Sequence, residues 1–208
     1  MSYAVKEIFL TLQGEGMQAG RRAVFCRFAG CNLWTGREKD RPKAVCTFCD
    51  TDFVGTNGDH GGRYEAETLA ARIADLWGEG ERPLVVLTGG EPLLQVDEAL
   101  VDALHARAFE VAVETNGTCV APPGIDWICV SPKAGAEIVQ RSGNELKLVW
   151  PQPAIDPAEL ASWSFDHFLI QPMDCAMRDE ALAASIDYVM ANPKWRLSLQ
   201  AHKAAGLR

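Results

Sequence analysis

The sequence predicts an α/β fold, an incomplete (partial), TIM-like β/α barrel, and three observations carry that prediction. From residue 65 onward, short β-rich apolar runs alternate with helical patterns, the signature of successive β-α units and a mainly parallel sheet. Almost every apolar run stops at a polar or glycine-rich group. The chain has 208 residues and several crossovers too short for a helix, whereas eight full units need roughly 250 residues.

In chain order, the strand-like runs are Arg22 to Ala29, Leu84 to Thr88, Phe109 to Glu114, Asp126 to Ser131, Glu145 to Val149, His167 to Gln171 and Trp195 to Gln200. Between them, three apolar stripes have helical spacing: Leu69, Ile73, Leu76 and Trp77; Leu100, Ala103 and Leu104; and Leu182, Ile186, Val189 and Met190. Each is read as a core-facing stripe. Residues 32 to 63 break the pattern with mixed charges, Pro42 and glycines from Gly55 to Gly62, and are read as a long loop. Loops beyond about 15 residues inside a compact domain are usually functional or mobile. With no repeat or linker, residues 1–208 read as one domain, with a cluster-binding loop region at 30–63.

The groups that end the runs are Gly30-Cys31, Thr88-Gly89-Gly90-Glu91, Glu114-Thr115-Asn116, Ser131-Pro132-Lys133, Gln171-Pro172-Met173-Asp174 and Gln200-Ala201-His202. In a parallel barrel or open α/β sheet these ends open onto one face, where such folds build their sites. The predicted active site is that face.

A formal charge of −8 argues against a broad phosphate-binding face, so no nucleic-acid partner is expected. The first residues carry no apolar signal segment, and no run approaches the roughly 18 apolar residues of a membrane helix. A cytoplasmic protein with no membrane association is expected. Seven cysteines, an odd number, argue against disulfides in that compartment. Cys26, Cys119, Cys129 and Cys175 are scattered and read as small buried hydrophobes.

The other three cluster: Cys46-Thr47-Phe48-Cys49 is a CxxC, and fourteen residues separate it from Cys31. A redox dithiol, a zinc site completed by a histidine such as His60, and an iron-sulfur cluster with three cysteine ligands all fit this chemistry. Spacing alone leaves zinc and cluster equal. The apolar strand leading into Thr88-Gly89-Gly90-Glu91-Pro92 is a feature that structural zinc does not need. Glycines there let backbone approach a ligand closely.

With that turn beside three cysteines, the sequence resembles the radical S-adenosylmethionine (SAM) superfamily, whose members pair a three-cysteine cluster with a GGEP-like turn. Its usual spacing is CxxxCxxC, and the long first gap is a departure. That gap, together with Val5 to Gly16, Arg27, Gly30 to Leu33, the strand-end groups and the ending Arg196 to Lys203, is similar to the 7-carboxy-7-deazaguanine synthase family.

The resemblance implies the fold, a barrel of the radical SAM type, and the activity. A 4Fe-4S cluster on Cys31, Cys46 and Cys49 would leave one iron for SAM, and a 5'-deoxyadenosyl radical would act on 6-carboxy-5,6,7,8-tetrahydropterin. Ring contraction with loss of ammonia would give 7-carboxy-7-deazaguanine, on the route to queuosine, with SAM regenerated. Residue by residue, the resemblance assigns SAM contacts to Phe48, Asp50, Gly90, Ser131, Pro132, Lys133, Gln171, Pro172, Met173 and Asp174, with Glu114 as a ribose partner. It assigns substrate contacts to Leu12, Gln13, Gly14, Glu15, Arg27, Thr88, Gln200 and His202, and Mg2+ to Thr51. Arg27 suits the substrate carboxylate, because a guanidinium fork binds carboxylates at two points. An electron donor such as flavodoxin or ferredoxin and a homodimer also follow from the resemblance alone. The alternatives are another radical SAM lyase or activase on the same scaffold, and a zinc-stabilised binding module.

Overall fold

The protein is described by a computed structural model covering residues 2–207. Among these residues nine strands form one sheet: β1 (Tyr3–Leu12), β2 (Arg22–Phe28), β3 (Gly62–Tyr64), β4 (Leu84–Gly89), β5 (Glu110–Thr115), β6 (Trp127–Val130), β7 (Ser142–Trp150), β8 (Ser164–Pro172) and β9 (Trp195–Leu197). Their order is β3-β1-β2-β4-β5-β6-β7-β8-β9. From β2 to β9 neighbours run parallel, while β1 is antiparallel to both β2 and β3. The sheet ends at β3 and β9 without closing, which makes the partial barrel that the chain length predicts.

The helices are α1 (Ala66–Trp77), α2 (Glu98–His105), α3 (Pro157–Leu160), α4 (Arg178–Ala191) and α5 (Ala201–Ala204). The β5-β6 and β6-β7 crossovers carry no helix, as their length dictates. Helix α1 starts at a reciprocal cap between Glu65 and Thr68 and stops at Gly78, which takes a φ of 69°. Helix α2 is capped by Asp97, whose carboxylate accepts from the Leu100 N–H and from the Tyr3 hydroxyl, tying β1 to the helix.

Strand alternation sorts the side chains into two sets. Val24, Cys26, Val85, Leu87, Val111 and Val113 face outward and are covered by Leu69, Ile73, Leu100 and Leu104 of α1 and α2. At about 1.5–3 kcal/mol for each large aliphatic side chain taken fully from water, this layer dominates the favourable side of folding. Leu146, Leu148, Phe168, Ile170 and Trp195 make a second core with Tyr188 and Val189 of α4. Inward, Ala23, Leu84, Val86 and Ala112 fill the barrel floor. Polar side chains begin one step higher along the same strands.

Several sequence expectations need correction. Strands β1 and β3 were not among the expected runs; β1 reads as continuous apolar and polar mixture because it bonds on both edges and its bulge near Val5 and Glu7 breaks the alternation. The last strand ends at Leu197 instead of Gln200. The loop of residues 32 to 63 contains a 3-10 helix at Glu38–Lys43 and runs into β3. On α4 the buried residues are Ala181 and Ser185; of the expected stripe Val189 packs partly buried on the second core, while Ile186 is 43 % and Met190 81 % exposed. Small residues allow the helix to approach closely and rotate the expected stripe partly outward. Cys26 and Cys129 are buried as expected, Cys119 packs partly buried on the core, and Cys175 is exposed.

Candidate active site

The parallel strands end around a cavity of about 410 Å³. Its wall is set by register. Glu7 on β1 pairs with Arg27 on β2, which pairs with Thr88 on β4. One step beyond the last β4-β5 pair lies Glu114, which pairs with Cys129 on β6, itself opposite Glu145 on β7. A polar row thus crosses six strands immediately above the apolar floor.

The cysteine-bearing segment closes one side. Glu91 is fully buried and does not point into the cavity. One of its oxygens accepts from Leu93 N–H at 2.9 Å and from the Thr115 hydroxyl at 2.8 Å, and the other from Asn116 N–H at 2.7 Å. Burial pushes its carboxyl up, and these donors oppose the rise. Its role is to pin the Gly89-Gly90 turn against β5. A Cβ on Gly90 would lie 2.1 Å from Gly30 O and 2.8 Å from Cys31 Cβ, so only glycine lets this turn lie against the first cysteine.

Cys46 and Cys49 line the cavity, and Cys31 sits behind Gly90 with its sulfur accepting from Leu33 N–H at 3.4 Å. The Cys46 thiol donates to Cys49, which is thereby lowered to about 6, while Cys46 itself is raised. Burial raises Cys31. The Lys133 ammonium, bonded to Ser131 O and Oγ at 2.8 and 2.6 Å, lies over the Phe48 ring at 5.9 Å and faces both thiols. Burial lowers its pKa and the thiols oppose that. Among the described residues, no three His, Cys, Asp or Glu side chains close around a point that one ion could occupy. His60 lines a different groove with Leu10 and Leu76. Two thiols on the cavity wall and a third against the Gly90 turn, beside a cation and a backbone cradle, fit a multi-iron cluster.

Arg41 fastens this segment: it donates to the carbonyls of Thr47 and Cys49 at 2.9 and 3.0 Å and stacks over Trp34. Lys6 holds the far end through Val54 O, Asn57 and Asp52, each at 2.9 Å. On the opposite rim the C-terminal segment packs on the 12–15 turn. Ala201 N–H donates to Gly14 O at 2.9 Å, and a Cβ on Gly14 would overlap the His202 ring. Lys203 bridges Asp50 and Asp174 across the mouth.

Beneath that turn lies a buried ion network. Lys147 contacts Glu15 at 2.7 Å and Glu114 at 2.9 Å, with its side chain 4 % exposed. Gln200 donates to Glu15 at 2.9 Å and Gln13 to Glu114 at 3.1 Å. Burial pushes the Glu15 carboxyl up, but the charge and hydrogen bond of Lys147, with those of Gln200 and Gln171, outweigh it and leave it at about 2. Burial likewise works against the Lys147 charge, and the acidic groups around it hold its pKa well above the usual value. Glu145, which accepts from Met17 N–H at 2.9 Å, is raised by burial.

Of the residues to which the resemblance assigns a cluster, SAM, substrate or Mg2+ contact, the cavity wall brings together all except Cys31 and Pro132. Arg27 points inward and its side chain is 19 % exposed. The sequence reading passed over Glu7, Asp52, Lys147 and Lys203, all on this wall. For Lys147 a signal existed: in Glu145-Leu146-Lys147-Leu148 the charged residues alternate with fully buried leucines, and both charged residues are themselves buried.

Comparison with known proteins agrees with this geometry. The Radical SAM superfamily model matches residues 42–147. Over the full length of both chains, the protein is 62 % identical to the 7-carboxy-7-deazaguanine synthase of Bradyrhizobium diazoefficiens, and 61 % identical to that of Caulobacter vibrioides. The crystal structure of QueE from Escherichia coli superposes with a TM-score of 0.75 at 30 % identity, covering 97 % of this chain and 95 % of that one. The chain belongs to the 7-carboxy-7-deazaguanine synthase family of the radical SAM superfamily.

Proposed function

We propose that this enzyme contracts the ring of 6-carboxy-5,6,7,8-tetrahydropterin, releasing ammonia and forming 7-carboxy-7-deazaguanine for queuosine biosynthesis, with a 4Fe-4S cluster and SAM as cofactors. The observation that carries this reading is that one cavity gathers the strand-end motifs of a chain matching its relatives over full length. One-electron cleavage of the SAM sulfonium is the chemistry that the cluster and SAM supply when bound.

The chain's own residues divide the cavity in two. Cys31, Cys46 and Cys49 hold iron. Phe48, Asp50, Gly90, Ser131 to Lys133 and Gln171 to Asp174 form the SAM half, with Glu114 toward the ribose. Arg27 takes the substrate carboxylate, with Thr88 as its neighbour in register. The 12–15 turn, Gln200 and His202 take the opposite, amide-like edge. Both Glu15 oxygens already accept from Lys147 and Gln200, so the turn recognises this edge chiefly through backbone groups. Thr51 offers a hydroxyl to Mg2+, a cation that keeps several waters and favours oxygen ligands. The Lys203 bridge over the mouth limits water, so that a reactive radical meets substrate first.

Residues 1–208 act as one domain, with region 30–63 carrying the cluster. None of the described helices is long and apolar enough to cross a membrane. Our reading places the enzyme in the cytoplasm as a homodimer, reduced by a flavodoxin or ferredoxin and independent of nucleic acid. The test is anaerobic turnover of reconstituted protein with dithionite, SAM, Mg2+ and the pterin, followed by mass spectrometry. Product is expected from the wild type and none from Cys49→Ala. Formation of 5'-deoxyadenosine without 7-carboxy-7-deazaguanine would refute the substrate.

A further inference from the structure

Four residues close a ring beneath the cavity. Lys147 Nζ donates to Glu114 Oε2 and to Glu15 Oε2. Glu114 Oε1 accepts from Gln13 Nε2 at 3.1 Å, and Gln13 Oε1 accepts from the Glu15 N–H at 3.2 Å. The ring therefore joins the 13–15 turn to the end of β5 and to β7, and its one cation is the most buried member. Glu114 and Glu15 face the same cavity from different elements.

We infer that Lys147 is a positioning residue that couples the two halves of the cavity, so that SAM and the pterin each tighten the binding of the other. The inference rests on the proposed function, which places SAM's ribose at Glu114 and the pterin at the 13–15 turn. The physical basis is a shared counter-ion. A ribose diol donating to Glu114 competes for the charge density that Lys147 now shares, and the ammonium draws closer to Glu15. The turn then stiffens around Glu15, whose N–H is held by Gln13 Oε1 and whose carboxylate is held by Gln200. A turn already fixed loses less freedom when substrate binds, and linkage makes the effect reciprocal. In a buried site this sharing is strong, since water does not screen it.

The experiment is calorimetric titration of the reconstituted holoenzyme with 6-carboxytetrahydropterin, anaerobically and without reductant, so that nothing turns over. Titrations are run with and without saturating SAM. The wild type should bind the pterin at least about fivefold tighter when SAM is present, within the usual range of such couplings. Lys147→Met should bring that ratio near one, and Lys147→Arg, which retains charge and two donors, should keep most of it. Because a methionine beside two buried carboxylates can impair folding, Glu114→Gln gives a second reading, and its ratio should also fall toward one. A wild-type ratio of one, or a wild-type ratio retained in a folded Lys147→Met or in Glu114→Gln, would overturn the inference while leaving the function intact. A wild type that fails to bind the pterin at all would overturn the functional reading, and this inference with it.

Discussion

Arg27 and Glu7 face each other across β2 and β1, and the guanidinium Nε donates to Glu7 Oε1 at 2.9 Å. Holding the guanidinium by its Nε edge fixes the plane of the fork that the proposed function gives to the substrate carboxylate. Glu7→Gln should raise KM for the pterin about tenfold, the equivalent of ~1.4 kcal/mol, with kcat changed much less. Steady-state kinetics check this, and an unchanged KM would remove Glu7 from the account. Arg27→Lys should cost more, because an ammonium cannot offer the two-point fork.

Gly90→Ala places a methyl group 2.1 Å from Gly30 O, a backbone atom with no room to yield. The turn must withdraw from Cys31. Iron and sulfide per chain should fall well below the wild-type content, and cluster absorbance should bleach faster in air. Full cluster occupancy in this variant would show that the close approach is dispensable.

Glu91→Gln tests whether this residue is a buttress. A glutamine amide presents N–H groups where the carboxylate accepts from Leu93 N–H or Asn116 N–H, leaving a buried donor facing a donor. The expected loss is about 1–3 kcal/mol of stability. Denaturant unfolding reads it directly, and a variant as stable as the wild type would contradict the assignment.

Glu15 contributes to the acid limb of stability. Its carboxyl stands at about 2 in the folded protein against 4.5 as the ordinary value. As pH falls the unfolded chain takes up this proton first, so the stabilisation is complete above about 4.5 and is lost as pH drops toward 2. The midpoint of unfolding should fall between pH 5 and 3 in the wild type and fall less steeply in Glu15→Gln. Parallel slopes would mean that Lys147 does not hold Glu15 ionised.

Removing Mg2+ should depress turnover severalfold without loss of iron, and Thr51→Ala should raise the Mg2+ concentration needed for half-maximal rate. Turnover indifferent to the ion would eliminate Thr51 as its ligand.

The sequence made the barrel legible because apolar runs and helical stripes alternate, and because the strand-end groups fall where a parallel sheet opens. The antiparallel β1 was opaque, since its pairing partners lie outside the β-α period, and α4 misled because small residues bury more effectively there than its larger apolar side chains. In the site, cysteines and glycines announce themselves by type and spacing. Glu7, Lys147 and Lys203 act through partners distant in sequence, as with Lys147 and Glu15 at 132 residues apart, and only the folded register brings them together. Glu91 presents the reverse case. Its motif suggested ligand contact, whereas its carboxylate is wholly occupied by the protein's own N–H and hydroxyl donors.

A ring contraction that regenerates SAM needs only catalytic amounts of it, so the decisive experiment is turnover under limiting SAM. With excess pterin, reductant and Mg2+, and SAM at a small fraction of the substrate, 7-carboxy-7-deazaguanine should accumulate to many times the SAM added, with one ammonia released per product. Product that stops at one equivalent of SAM, with matching 5'-deoxyadenosine, would contradict the account.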